Sequence, residues 1–73
     1  MDKLIYSKSH KFLAQQLQHA RIESGFNQAQ VAKMFGKTQS YVSKIESGQR
    51  KIDVVQLKKF AKIYKKDFNF FIE

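Results

Sequence analysis

Counted at 100° per residue, Leu13, Leu17, Ala20 and Ser24 fall in one narrow arc, with Arg21 at its edge. That arc is the buried stripe of a helix expected to begin near Ser9 and to end at Gly25, a residue suited to a left-handed cap. Asn27 followed by Gln30 has the spacing of a capping box, with Phe26 placed as a hydrophobic staple, so a second helix is expected from Gln28 to about Phe35. Gly36 stops it. Thr38 then caps a third helix that sends Val42 and Ile45 one way and Gln39, Ser40, Ser43, Lys44 and Ser47 the other, and Gly48 closes it. Asp53 with Gln56 repeats the capping-box spacing and starts a fourth helix to about Lys65, with Val54, Leu57, Phe60, Ala61 and Tyr64 as its apolar stripe. Lys58, Lys59, Lys62, Lys65 and Lys66 take the opposite side, which reads as a solvated face. Asp67 is placed to cap one last turn carrying Phe68, Phe70, Phe71 and Ile72.

The pattern predicts an all-α fold, a compact bundle of four to five helices. An arm, Met1–Lys8, precedes a single domain over residues 9–73. Proline is absent and glycine occurs only at 25, 36 and 48, so the helices are broken at defined stops. Within QAQVAKMFGKTQSYVSKIES, Val31, Phe35, Val42 and Ile45 hold the buried positions, Ala32 lies where the two helices come closest, and Gly36 stands in the turn. Two short helices joined in this way make a helix-turn-helix at about 28–47, a motif whose second helix enters the major groove of DNA.

Charge strengthens that picture. Fourteen Lys and Arg against six Asp and Glu give a formal net charge of +8, which favours a polyanionic partner. Cysteine is absent, so neither disulfides nor a thiolate zinc site hold the chain together. His10 and His19 lie in no metal-ligand pattern and read as surface histidines; no metal and no cofactor is expected. No apolar run approaches the roughly 20 residues that cross a bilayer, and no secretory signal is seen, so a cytoplasmic location is expected, without membrane partners. Paired carboxylates in a cleft, a nucleophile with its base and a phosphate-cradling glycine loop are all missing, which argues against an enzyme.

From Leu13 to about Tyr64, and most closely in ARIESGFNQAQVA and QSYVSKIESGQRK, the sequence resembles the phage repressor and Cro-like family, the XRE family of bacterial regulators. Lys37 departs from it, standing just after the turn glycine where an apolar residue is commoner. The resemblance implies a lambda-repressor-like DNA-binding domain and a transcriptional regulator, a repressor in the first instance. It implies that Gln39, Ser40 and Lys44 face the bases. The chemistry agrees, since glutamine pairs with adenine, lysine with guanine, and serine with several bases.

Gln28, at the start of helix two, combines an amide with unpaired backbone N–H groups that can hold a phosphate. Arg50 and Lys51 follow helix three where the family grips the DNA backbone. Ser43, on the same outward face, is expected to contact the DNA backbone, and Thr38 is chiefly a cap whose backbone contact is secondary. Tyr41, at the boundary of the faces, either reaches a phosphate through its hydroxyl or packs into the core. Glu46 points inward on the wheel, and an inward carboxylate requires a partner. The resemblance assigns Arg21 to it, as a structural ion pair.

Apolar groups also exceed what a small domain readily covers, so a homodimer is expected, with Phe60, Ile63, Phe70 and Phe71 as interface candidates. Such a dimer prefers an inverted-repeat operator in double-stranded DNA. Two alternatives stand beside this reading. One is an antitoxin or adaptor whose main role is to bind a protein partner; the other is a binder of RNA, or of nucleic acid without sequence preference.

Overall fold

The computed structural model describes residues 8–72. The expectation of an N-terminal arm falls outside the described residues, except for Lys8, which opens the first helix. Five helices occur among the described residues: α1 (Lys8–Glu23), α2 (Gln28–Phe35), α3 (Gln39–Glu46), α4 (Val54–Tyr64) and α5 (Asn69–Ile72). The fold is all-helical.

Local chemistry accounts for the boundaries. Asn27 Oδ1 accepts from Gln30 N at 2.8 Å, while Gln30 Oε1 accepts from Asn27 N at 2.8 Å, so two otherwise orphaned donors at the start of α2 are satisfied. Asp53 and Gln56 do the same for α4, at 2.8 and 3.0 Å. Thr38 Oγ1 accepts from Tyr41 N at the start of α3. At the other ends the chain turns left-handed. Gly36, at φ 70°, lets Lys37 N reach Ala32 O at 2.9 Å and closes α2. The end of α4 makes the same turn without glycine: Lys65 takes φ 56°, and Lys66 N bonds Ala61 O at 2.9 Å.

The core collects one face from each helix. Leu13, Leu17 and Ala20 of α1 meet Val31, Ala32 and Phe35 of α2, Val42 and Ile45 of α3, and Leu57, Phe60 and Tyr64 of α4. Ala32 is 2% exposed, which lets α2 and α3 approach closely. The Phe35 and Phe60 rings stack with centroids 4.2 Å apart and tie the helix-turn-helix to α4. α5 folds back on α1, where Gln16 Nε2 donates to Phe70 O at 3.0 Å and Phe71 is wholly buried.

Three expectations need correction. Phe60 and Phe71 were interface candidates, yet they are 1% and 0% exposed, so they have no surface to offer a copy. Ile63 and Phe70 remain half-buried against the core edge. Val54 does not continue the buried stripe of α4: it lies in the first turn of the helix and is 53% exposed. His10 is not a surface histidine, because its ring is held between α1 and the end of α3.

Candidate nucleic-acid interface

The two helices of the motif are bound together at their solvent edge by a chain of polar side chains. Arg21 presents its guanidinium to Glu46 as a fork, Nε donating to Oε2 at 2.7 Å and Nη2 to Oε1 at 3.1 Å. Nη1 donates to Phe26 O at 3.0 Å, so the same side chain also fixes the α1–α2 turn. The side chains are 12% and 4% exposed, a pair largely withdrawn from water. The hydrogen bond from Arg21 to Glu46 raises the guanidinium further above its already high range, against the opposing effect of burial. Burial also pushes the nearby Tyr64 hydroxyl upward, with the Glu46 charge adding to it. That hydroxyl is buried without a hydrogen-bond partner among the described residues.

Glu46 Oε1 carries a second bond, from Gln28 Nε2 at 3.0 Å. With its nitrogen thus engaged, Gln28 turns its oxygen toward α3, where Gln39 Nε2 lies 3.5 Å away. Gln28 and Gln39, from the first turns of two helices, are thereby neighbours at one edge.

Beyond them, Gly36, Lys37, Thr38, Ser40, Tyr41, Lys44 and Arg50 line a shallow, open hollow along the outward side of α3. Gln39, Ser40, Ser43, Lys44, Arg50 and Lys51 are all exposed, whereas Val42 and Ile45 turn inward. Short serines beside Lys44 leave the helix surface low enough for close approach to another surface.

Of the two roles expected for Tyr41, packing is what the fold displays. The residue is 7% exposed and its oxygen accepts from Gln56 Nε2 at 2.6 Å. Its ring underlies two cations, with Lys37 Nζ 5.4 Å and Arg50 Cζ 4.9 Å from the centroid. Lys37 is therefore exposed on an aromatic face, which explains how the turn accepts a charged residue there.

Arg50 is held at its backbone as well. Lys44 O accepts from Gln49 N at 2.9 Å, from Arg50 N at 3.1 Å and from Ser47 Oγ at 3.1 Å, wrapping the loop onto the last turn of α3. On the opposite side, His10 Nε2 lies 3.0 Å from Gly48 O.

Sequence reasoning missed two of these contributors. Gln56 was seen as a capping residue, and nothing in its spacing announces the bond to Tyr41. His10 left a signal that went unused: it stands seven residues before Leu17, two turns along the same stripe.

The described residues hold no cluster of His, Cys, Asp or Glu that could bind a metal ion, and no helix among them is long and apolar enough to cross a membrane. No curated protein and no solved structure matches the chain. The helix-turn-helix family model matches residues 17–71, from the middle of α1 into α5, and so takes in the whole polar network and the outward face of α3. The chain belongs to the DNA-binding helix-turn-helix family of the XRE and Cro type.

Proposed function

We propose that this protein is a sequence-specific regulator of transcription, acting as a repressor in the cytoplasm by laying α3 in the major groove of double-stranded DNA. The observation that carries the reading is the outward face of α3. Gln39, Ser40 and Lys44 are exposed side by side in the first and second turns of a helix whose other face is locked into the core. Their donors and acceptors suit base edges.

Gln28, Thr38, Ser43, Arg50 and Lys51 border that face and take the flanking phosphates. Tyr41 serves the same contact through Lys37 and Arg50, the cations that rest on its ring. Backbone contacts fix the register and base contacts choose the sequence.

The protein binds as a two-fold dimer on an inverted repeat, with recognition helices about 34 Å apart. Half-buried Ile63 and Phe70 are the apolar groups from which the contact between copies is built. Selection of bound duplexes from a random pool tests the reading. A recurrent sequence with two inverted half-sites one helical turn apart is expected. A bound pool as random as the input overturns specific readout.

A further inference from the structure

The geometry points to His10 as a positioning residue for the DNA-backbone loop, one that works only with a neutral ring, so that DNA binding weakens in mild acid. This rests on the DNA-binding role proposed for Arg50 and the face of α3. The His10 ring reaches from the first turn of α1 to the turn just after α3, where Nε2 lies 3.0 Å from Gly48 O. A carbonyl only accepts, so Nε2 must carry the hydrogen, and the neutral ring then has a bare lone pair at Nδ1. Nδ1 is buried and without a hydrogen-bond partner among the described residues. His10 lines a small, mostly apolar pocket with Leu13, Ala14, Leu17, Ile45, Ile52 and Arg50.

Protonation puts a charged N–H at that position. Among the described residues no acceptor is placed to receive it, and the positive end of α1 opposes a further cation there. The other charged groups nearby do not relieve it. Lys11 is on the same helix and carries the same sign. Glu46 lies across Gly48 and is already engaged by Arg21 and Gln28. Asp53 shares an apolar groove with His10, Val54, Leu57, Phe68 and Ile72, but its Oδ1 caps α4. An imidazolium that swings toward Asp53 or toward water must leave Gly48 O. Gly48 is the second residue of the turn that leads to Arg50, and a Cβ there would stand 3.9 Å from Nε2, so ring and loop are in direct contact. Losing the bond frees one side of the loop, while the Lys44 carbonyl still holds the other.

Imidazole changes charge between about pH 5 and 8, so DNA affinity is measured near pH 7.5 and 5.5 for the wild type and for His10→Gln, whose amide donates but does not titrate. The wild type is expected to bind about tenfold more weakly in acid, and the variant's profile to be flatter. His19 is present in both proteins, so its contribution cancels in the comparison. Parallel profiles overturn the inference while leaving the DNA-binding reading intact. If the variant does not fold, or if no DNA binds at either pH, nuclear magnetic resonance of the free wild-type protein decides. A neutral ring protonated at Nε2, with Gly48, Gln49 and Arg50 amide signals moving as His10 titrates, supports the pin. A neutral ring protonated at Nδ1, or loop amides that ignore the titration, refutes it.

Discussion

Replacing Glu46 with alanine strikes the point where the fold's ion pair meets the edge of the recognition helix. In the native protein the Arg21 guanidinium makes two bonds to the carboxylate and one to Phe26 O, with only 12% of its side chain exposed. Without the carboxylate, one bond remains to a buried charge that cannot be neutralised, and Gln28 Nε2 loses its acceptor too. Stranding one member of a buried pair costs about 3–5 kcal/mol. At roughly 0.05–0.15 kcal/mol per residue, a chain of 73 residues has about 4–11 kcal/mol in all. The variant therefore loses between about a quarter of its stability and the whole of it. Urea denaturation followed by circular dichroism measures this, and with a slope near 1 kcal/mol/M the midpoint is expected to fall by about 3 M or to vanish. The double variant Arg21→Met, Glu46→Leu removes both charges and is expected to recover most of the loss, since apolar groups of similar volume often replace such a pair without penalty. An unchanged midpoint for Glu46→Ala, or a double variant less stable than the single one, refutes the stranded-charge argument.

The other expectations concern the DNA face, the helix ends and assembly. If backbone charge supplies most of the affinity, titrations should show a fall of about three orders of magnitude between roughly 50 and 200 mM salt for around six phosphate contacts, and a flat response would contradict it. Gln39→Ala and Lys44→Ala should each cost roughly 1–3 kcal/mol at the preferred site, whereas Arg50→Ala should weaken all sequences alike; competition binding on matched and scrambled duplexes separates the two patterns. Lys65→Gly should stabilise the fold by about 1 kcal/mol, because a left-handed residue with a Cβ is strained, and Gly36→Ala should destabilise by a similar amount through strain alone, as nothing lies within 4 Å of the added carbon. Both are read from thermal melting. Sedimentation at micromolar concentration should show a dimer that Phe70→Glu converts to monomer, and a wild-type monomer at that concentration would remove Ile63 and Phe70 from consideration as an interface.

The helices were legible because their ends are decided by neighbours in sequence. A side-chain oxygen three residues before an orphan N–H, or a glycine where the chain must turn left-handed, leaves its mark within a few positions, as at Asn27, Thr38, Asp53 and Gly36. Lys65 was less legible, since its left-handed turn is imposed by the packing of α4 and the bond from Lys66 N to Ala61 O rather than by its own preference. A helical wheel gives direction without depth. It placed Val54 and Phe60 on one stripe, although one is half exposed and the other is stacked on Phe35. The bond from His10 to Gly48 O spans 38 residues, and the Gln56 bond beneath Tyr41 joins two separate helices, so neither is visible before α1, α3 and α4 are assembled.

The same limit hid the connection between stability and the candidate reading face. From sequence, Arg21 and Glu46 belong to the fold, while Gln28 and Gln39 belong to the DNA face. Their side chains are continuous in space: Arg21 grips Glu46, Glu46 orients the Gln28 amide, and that amide points its oxygen at Gln39. An amide whose nitrogen is committed to a carboxylate has a defined flip, and the group facing it on α3 inherits a defined partner. A Glu46 substitution thus disturbs the fold and the orientation of two glutamines at once. Binding losses in such a variant report on readout only when compared at equal folded fraction, and a change in preferred sequence that persists under that condition measures the orientation alone.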